Sequence, residues 1–420
     1  MSVHIDPYEE AKKQLRQTIE LLGLGEDVYE ALAVPERLVQ VRIPVRMDDG
    51  SVKTFLGWRS QHNSALGPYK GGIRYHPDTN AHEVIALSMW MTWKCSLAGL
   101  PYGGGKGGVR VDPKKLSAKE LERLSRGYFA AISDIVGEDL DIPAPDVYTN
   151  PQVMAWYVDE FSKIKRGFYI GVVTGKPVEL GGLMTRVIST GLGTAITAAE
   201  AAKRVLGGIA GRTVAVQGFG NVGYYASLFL EEMGARVVAV SDSKGGIFNP
   251  DGLHIPDVIE FKNKTGSVVN YPKAQRHVSN EEILELKVDV LVPSAIENVI
   301  TESNARNIKA KVISEGANGP TTVEAEKMLT EMGVVIVPDI LANAGGVIMS
   351  HIEWVNNRMG GWITEEEARR KLEERMMNSF NNVWKFWESK LDQRKHNLRA
   401  AAYAVAVDRV VKAMKLKGVL

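Results

Sequence analysis

The spacing of hydrophobic and polar residues changes from helix-like to strand-like and back along the 420-residue chain. An amphipathic segment from Pro7 to about Leu22 predicts an opening helix. Apolar and polar residues then alternate through RLVQVRIPVRMDDGSVKTFLGWRSQHN, which predicts two strands joined by a turn at Asp48-Asp49-Gly50. Helical periodicity returns in AHEVIALSMWMTWKCSLAG. It returns again after Ser117, where Glu120 completes a predicted capping box.

The second half of the chain has a different pattern. DLDIPAPDVYTNPQVMAW predicts a strand, a proline-stiffened loop and a helix. From about Leu180, RTVAVQGFGNVGYYASLFLEEMGARVVAVSD is typical of strand, glycine turn, helix and strand, and VDVLVPSA, AKVISEGA and GVVIVPD are further short apolar runs. This alternation predicts a parallel sheet covered by helices. The last fifty or so residues predict helices without strands, and we expect this C-terminal tail to return to the first region. The change of pattern predicts two unlike regions that divide near residues 174–182.

Composition and charge narrow the functional class. The chain is 45% hydrophobic and 24% charged, as in soluble globular proteins, and 51 basic residues balance 50 acidic ones. A net charge of +1 provides no electrostatic surface for nucleic acid or anionic membrane, so we expect neither partner. The single cysteine, Cys95, excludes an intrachain disulfide and is interpreted as a packed residue in a reducing cytosol. The charged amino-terminal segment does not resemble a secretory leader and no apolar run could span a bilayer, so we expect a cytoplasmic protein.

A nucleotide site is predicted by VAVQGFGNVG. Gly218, Gly220 and Gly223 have G-x-G-x-x-G spacing directly after a predicted strand and at the start of a predicted helix. In that context the glycines permit a tight turn, close approach of a pyrophosphate and close helix packing. Asp242 ends the next strand, where a carboxylate can accept hydrogen bonds from the ribose hydroxyls. A carboxylate there repels a 2′-phosphate and so favours NAD. Ser243 and the lysine after it could bind a 2′-phosphate, so NADP remains possible.

A second group of candidate residues is rich in lysine. LPYGGGKGGVRV, which we interpret as a glycine-rich loop, contains Lys106, but the residue after it is glycine rather than the Ser or Thr of a phosphate-binding P-loop. Lys70 in GPYKGGIRYHP and Lys94 in MTWKCSLAG have similar surroundings, and PAPD supplies Asp146. Clustered ammonium groups attract carboxylate substrates and lower one another's pKa, so one lysine could act as a base beside an acid. A flexible glycine turn with a solvated lysine is the alternative from these residues alone.

Several motifs occurring in order resemble one family. GPYKGGIRYHP, LPYGGGKGG, PAPDVYTN, GFGNVG, EGANGPTT and LANAGGVIMSHIEW are together similar to the hexameric glutamate dehydrogenases of the Glu/Leu/Phe/Val dehydrogenase superfamily. The resemblance implies an α/β protein with an N-terminal α/β substrate domain and a Rossmann-type doubly wound dinucleotide-binding domain. We place these at 1–178 and 179–370, with C-terminal helices at 371–420 returning to the first domain. It also implies a homohexamer that reversibly converts L-glutamate to 2-oxoglutarate and ammonia.

The resemblance also assigns roles on the substrate side. Lys106 and Asp146 match the catalytic lysine and carboxylate. Lys94 matches the residue that binds the substrate α-carboxylate, and Lys70 with Ser350 matches the pair that holds the side-chain carboxylate. Leucine, valine and phenylalanine dehydrogenases are expected to carry apolar residues at this pair, because an unpaired buried ammonium is costly. The pair therefore favours glutamate over a branched-chain or aromatic substrate.

On the cofactor side, Thr190 and Asn221 resemble cofactor contacts, and Val222 lies in the same glycine turn. Asn318 resembles a residue lining the nicotinamide, and Asn343 one lining the substrate cleft. We expect no metal site, since the eight histidines are scattered without ligand spacing. A non-catalytic nucleotide-binding regulator with the same fold is the remaining alternative.

Overall fold

The computed structural model describes residues 6–420, which divide into two compact units. Unit 1 contains residues up to Met184, together with Ser350–Glu365 and Ala406–Leu420. Unit 2 contains Thr185–Met349 and Glu366–Val405. The division after Met184 lies a few residues beyond the predicted boundary at 178. The C-terminal region enters unit 1 twice rather than as one tail.

Unit 1 is built on a five-stranded mixed sheet of order β1-β2-β4-β3-β5. Its strands are β1 (Arg37–Arg46), β2 (Val52–Asn63), β3 (Tyr69–His76), β4 (Gly103–Arg110) and β5 (Asp141–Pro145). The predicted hairpin is confirmed, because β1 and β2 pair antiparallel across the turn. β3 lies between β4 and β5 and is parallel to both.

The interpretation of GGGKGG as a loop is wrong, because this segment is strand β4. Its glycines let neighbouring elements approach more closely than side chains would allow. A Cβ at Gly104 would lie 2.1 Å from the carbonyl oxygen of Ser88, and one at Gly103 would lie 1.7 Å from that of Asn63. The glycines therefore serve close packing of a strand, and the pairing of this strand with β2 and β3 holds Lys106 in extended backbone.

Helices cover both faces of this sheet. α3 packs on β4 and β2, and the buried tyrosines of α4 and α5 join a core with Ile43, Phe55 and Ile73. The predicted opening helix and the capping box of Ser117 with Glu120 are confirmed. The α-helices that precede Met184, where the chain passes into unit 2, are α1 (Pro7–Leu22), α2 (Glu26–Ala33), α3 (Ala81–Leu97), α4 (Ala118–Ala131) and α5 (Pro151–Lys165).

Unit 2 contains a seven-stranded sheet of order β12-β11-β10-β6-β7-β8-β9. The strands are β6 (Thr213–Gln217), β7 (Arg236–Asp242), β8 (Gly245–Phe248), β9 (Arg276–Val278), β10 (Val290–Pro293), β11 (Val312–Ser314) and β12 (Val335–Val337). The five strands from β12 to β7 are parallel, as predicted from the alternating pattern. The edge strands β8 and β9 are antiparallel, which that pattern did not predict.

The remaining helices complete unit 2 and return to unit 1. They are α6 (Thr185–Leu206), α7 (Asn221–Glu232), α8 (Ile255–Thr265), α9 (Val323–Glu331), α10 (Asp339–Ala342), α11 (Gly345–Arg358), α12 (Glu365–Lys390) and α13 (Leu398–Leu416). Short 3₁₀ helices lie at Pro113–Lys115, Ile170–Val172, Val178–Leu180, Glu282–Glu285 and Ala305–Asn307. Within residues 6–420, none of the helices combines the length and apolar character needed to cross a membrane.

One buried charge cluster ties the ends of three elements of unit 2 together. Arg399 on α13 donates to Glu315 after β11 at 2.5 Å, to Asp339 on α10 at 2.7 Å and to Glu326 on α9 at 3.0 Å. Glu315 also accepts from the backbone N–H of Asp339 at 2.9 Å. Three carboxylates share one guanidinium, so the cluster holds more negative than positive charge when all groups are ionised.

Candidate active site

The alternation of side chains along β4 decides which residues share one face of the unit 1 sheet. A Cβ at Gly104 would meet Ser88 and Thr92 of α3, whereas one at Gly105 would meet Arg59 and Asp141 on the opposite face. Lys106 is two residues from Gly104, so its side chain lies on the face covered by α3. Lys70 on β3 is paired in register with Gly104 and shares that face.

Lys106 and Asp146 are in direct contact on this face. The Lys106 ammonium forms an ion pair with Oδ2 of Asp146, which follows β5 at its carboxyl end. Nε of Arg74 donates to the same oxygen at 3.3 Å, and Nη1 of Arg74 donates to Glu83 at 2.6 Å. The side chains of Lys106 and Asp146 are 8% and 22% exposed, so bulk water screens the pair weakly.

The environment lowers the pKa of both members of this pair. Burial lowers the pKa of Lys106 below its ordinary value, the charge of Arg74 lowers it further, and the Asp146 carboxylate acts in the opposite direction. Burial acts to raise the pKa of Asp146, but Lys106 and Arg74 outweigh it, and the pKa lies below its ordinary value. Lys106 therefore loses its proton more readily than a surface lysine, while Asp146 remains ionised.

Lys70 lies on the same sheet face as this pair, and Lys94 lies on the helix that covers that face. Lys70 is 1% exposed, and Lys94 occupies the last turn of α3. Both act electrostatically on the thiol of Cys95, whose pKa burial nonetheless raises to about 12, so the cysteine is an inert packed residue as predicted. Ser350, 2% exposed on α11, also belongs to unit 1. The residues predicted to bind substrate carboxylates thus lie in the same unit as Lys106 and Asp146.

The opposite face of the sheet carries a second buried ion pair that sequence reasoning missed. Nε of Arg59 on β2 donates to Asp141 at 2.8 Å, and Nη1 donates to the carbonyls of Gly71 and Gly72 at 3.3 Å. Both side chains are fully buried. Gly105 lies directly over this pair, since a Cβ there would come within 2.9 Å of Arg59. The pair therefore supports the segment of β3 that connects Lys70 to the glycines after it.

In unit 2, the glycine turn lies where a doubly wound sheet binds nucleotides. β6 is flanked by β7 on one side and β10 on the other, so the strand order reverses at its carboxyl end. Gly218 has φ of +91°, and a Cβ at Gly223 would lie 1.7 Å from the carbonyl oxygen of Gly218. A Cβ at Gly220 would meet no described atom within 4 Å. The turn is therefore packed at its first and third glycines and open at the second, as a pyrophosphate requires.

Asp242 ends β7 as predicted, but its carboxylate is also used within the protein. Oδ1 accepts from the backbone of Lys244 at 2.9 Å and from the Ser267 hydroxyl at 3.1 Å. Oδ2 accepts from the backbone of Val268 at 2.8 Å, which leaves this oxygen capacity for a second hydrogen bond. Ser243 and Lys244 are exposed beside it. The Asp242 carboxylate can therefore accept a hydrogen bond from a ribose hydroxyl while it holds the segment at 267–268.

The other residues predicted to contact the cofactor lie at three places in unit 2, and one of these places also contains Asn343, a predicted substrate contact. Asn221 opens α7, next to half-buried Val222, and donates from its amide to the carbonyl of Val187 at 2.8 Å. Thr190 lies on α6, within 3.0 Å of where a Cβ on Gly346 would be. Asn343 donates to the side chain of Asn318 at 2.8 Å, so these two amides form one polar group at the ends of β11 and α10.

Arg74 and Glu83 are functional candidates that the sequence reading did not single out. Arg74 lies on the same face of β3 as Lys70, at an even spacing along the strand. That spacing could have identified Arg74 as a neighbour of Lys70. Its contact with Asp146 depends on the pairing of β3 with β5, which no local pattern predicts.

This combination of a cationic sheet face and a nucleotide-binding Rossmann unit defines a class of dinucleotide-dependent oxidoreductases acting on anionic substrates. Two family models match the chain. One, described as Glutamate/Leucine/Phenylalanine/Valine dehydrogenase, matches residues 181–418. The other, described as the dimerisation domain of Glu/Leu/Phe/Val dehydrogenase, matches residues 35–163. The chain belongs to the Glu/Leu/Phe/Val dehydrogenase family.

Individual relatives within this family are similar over nearly their full lengths. A glutamate dehydrogenase of Aeropyrum pernix is 65% identical over 98% of this chain and 99% of the relative. An NADP-specific glutamate dehydrogenase of Saccharolobus shibatae is 55% identical over 97% and 96%, and an NAD-specific one of Staphylococcus aureus 48% over 96% and 96%. The crystal structure of the hetero-hexameric glutamate dehydrogenase of Thermus thermophilus in its Leu-bound form has a TM-score of 0.90 at 37% identity, covering 100% of this chain and 99% of that one.

Proposed function

We propose that the protein catalyses the reversible oxidative deamination of L-glutamate to 2-oxoglutarate and ammonia with NAD or NADP. The observation that carries this proposal is the buried contact between Lys106 and Asp146 on a sheet face that also holds Lys70. Membership of the dehydrogenase family and the near full-length similarity to proteins named glutamate dehydrogenase support it.

Two lysines are proposed to bind the carboxylates of the substrate. Lys94 binds the α-carboxylate, and Lys70 with Ser350 binds the side-chain carboxylate. The burial of Lys70 supports its assignment, because an ammonium removed from water is stabilised by an anionic ligand and destabilised by an apolar one. The same arrangement disfavours leucine or valine, whose side chains would leave that charge without a counter-ion.

Lys106 and Asp146 are proposed to move the protons. Neutral Lys106 accepts a proton from the water that attacks the α-carbon after hydride has left it. Asp146 accepts a proton from the substrate amine and returns one to the departing ammonia. The lowered pKa of Lys106 supports its role as a base, and the contact between the two groups permits them to share a proton. Asn343 is proposed as a further contact of the substrate.

The glycine turn and its neighbours are proposed to hold the cofactor. A nicotinamide held by these residues would supply the acceptor for the hydride that leaves the α-carbon of the substrate. Gly220 and the amino terminus of α7, which no side chain caps, bind the pyrophosphate. Asp242 favours NAD, and exposed Ser243 with Lys244 accommodates a 2′-phosphate. The other proposed cofactor contacts are Gly218, Gly223, Thr190, Asn221, Val222 and Asn318.

The assembly and location of the protein are part of the same proposal. For assembly we propose a homohexamer, and the match to the family's dimerisation domain at residues 35–163 and the similarity to a hetero-hexameric glutamate dehydrogenase support a hexameric arrangement. A cytoplasmic location is supported by Cys95, whose buried thiol is suited to a reducing compartment.

Steady-state kinetics test the activity directly. L-glutamate should increase the absorbance of reduced nicotinamide, whereas L-leucine, L-valine and L-phenylalanine should do so at least about a hundredfold less well in kcat/KM. Lys106→Ala should abolish turnover while retaining cofactor binding. Lys119→Ala, on the exposed side of α4, is the matched control and should behave as wild type. Turnover unchanged by Lys106→Ala, or a preference for L-leucine, would refute the proposal.

A further inference from the structure

Arg74 contacts both the proposed catalytic carboxylate and an acidic residue of α3. Its Nε donates to Oδ2 of Asp146 at 3.3 Å, the oxygen that also pairs with Lys106. Its Nη1 donates to Oε1 of Glu83 at 2.6 Å. Glu83 lies in the first turn of α3, and its other oxygen is buried without a hydrogen bond among the described residues. Four charged groups therefore form one chain, from Glu83 through Arg74 and Asp146 to Lys106.

We propose that Arg74 is a positioning residue of the reaction, which holds Asp146 by the oxygen shared with Lys106 and keeps this lysine available as a proton acceptor. The proposal rests on the function proposed above. Arg74 lies on β3 and Asp146 follows β5, so the in-register pairing of these strands brings the two side chains together.

The physical reason is a division of charge. If Asp146 faced Lys106 alone, the carboxylate would stabilise the ammonium form of the lysine and retain its proton. Because Arg74 binds the same oxygen, part of that negative charge is compensated by a group that stays protonated at any working pH. The guanidinium also repels the ammonium directly, and both effects favour neutral Lys106.

Glu83 acts in the opposite sense. Its carboxylate orients Arg74 by the 2.6 Å hydrogen bond, but its negative charge stabilises the ammonium of Lys106. Arg74 from β3 and Glu83 from α3 act on the charge of Lys106, and the same two elements also carry the ammonium groups of Lys70 and Lys94. Neutralising Arg74 and neutralising Glu83 should change the ionisation of Lys106 in opposite directions. A purely structural role would not produce this opposition.

The test uses three variants of the full chain with Arg46→Gln as control. Arg46 is exposed at the end of β1 and should show no effect. In Arg74→Gln, the acidic limb of the pH profile of kcat/KM for L-glutamate should move up by about one pH unit, a tenfold loss at a fixed pH on that limb. In Glu83→Gln it should move down. Arg74→Lys keeps the charge and should restore most of the wild-type position.

A second readout does not require activity. Competitive acetylation with trace acetic anhydride, followed by mass spectrometry of the peptide containing Lys106, gives the pH at which this lysine is half protonated. This midpoint should rise in Arg74→Gln and fall in Glu83→Gln. Midpoints that do not move, or that move in the same direction, would overturn the role of Arg74. If the wild-type protein does not oxidise L-glutamate, the proposed function fails, and the acetylation midpoints still decide whether Arg74 governs Lys106.

Discussion

Glu315→Gln is expected to stabilise the protein above neutral pH, although it removes one partner of a buried ion pair. Glu315 has no exposed surface and shares Arg399 with two other carboxylates. A glutamine oxygen can take the place of Oε2 and still accept from Arg399 and from the backbone of Asp339. The arginine keeps its ion pairs with Asp339 and Glu326, so the substitution leaves no buried cation without a counter-ion.

The expected magnitude follows from the ionisation of Glu315. Burial, opposed by Arg399 and assisted by the neighbouring carboxylates, raises its pKa from 4.5 to about 7. In the unfolded chain the carboxyl group loses its proton at lower pH, so the free energy of unfolding decreases as the pH rises from about 4.5 to 7 and is constant above. That shift corresponds to roughly 3 kcal/mol. Glutamine does not ionise, so the variant avoids this loss.

Urea-induced unfolding followed by circular dichroism at pH 5 and pH 8 would measure the effect. The free energy of unfolding of Glu315→Gln, relative to wild type, should increase by about 2 to 3 kcal/mol between the two pH values. Glu324→Gln, at an exposed position of α9, should show no such increase. A variant that becomes less stable relative to wild type at pH 8 would show that the ion pair with Arg399 outweighs the cost of burying the charge.

Three further outcomes are expected. Gly220→Ala should keep wild-type stability and raise the KM for NAD, because a Cβ at Gly220 would meet no described atom. Gly223→Ala should lower the melting temperature, because its Cβ would lie 1.7 Å from a carbonyl oxygen. Equal melting temperatures of the two variants would contradict this difference. Lys176 and Glu353 form a further ion pair of unit 1 at 2.6 Å, with both side chains fully buried. Lys176→Met should destabilise unit 1 by about 3 to 5 kcal/mol because it leaves the Glu353 carboxylate buried without its cation, and the double variant Lys176→Met with Glu353→Met should recover most of this loss in urea unfolding. Lys70→Leu should reduce kcat/KM for L-glutamate at least about a hundredfold more than for L-norvaline; an equal loss would remove the proposed role of Lys70.

The parts of the fold that follow from local chemistry could be predicted from the sequence. The β1–β2 hairpin and the capping box at Ser117 depend on residues close together in the chain. The parallel strands of unit 2 are indicated by the alternation of short apolar runs with helical segments, although β6 pairs with the distant β10. The glycine turn at 218–223 could be predicted for the same reason, since its spacing follows from the geometry of one strand and one helix.

The parts that depend on tertiary contacts could not. β4 has Val109 as its one β-branched residue, and its glycines are explained only by tertiary neighbours, such as α3 at Gly104 and Arg59 at Gly105. The contact of Arg74 with Asp146 depends on which strand β3 pairs with. The hydrogen bonds from 267–268 to Asp242 join residues separated by a helix, so the sequence showed the carboxylate but not its partners within the protein.

The hydrogen bonds of Asp242 within the protein have a consequence for engineering the choice of coenzyme, because the same carboxylate is the proposed ribose contact. Replacing this proposed cofactor contact to admit a 2′-phosphate would also release the backbone of Val268 and the hydroxyl of Ser267, so a gain in tolerance would be accompanied by a loosened segment at 267–268. Ser243 and Lys244 point to solvent and can be varied without that penalty. Redesign of coenzyme preference should therefore begin at these two positions and leave the aspartate in place.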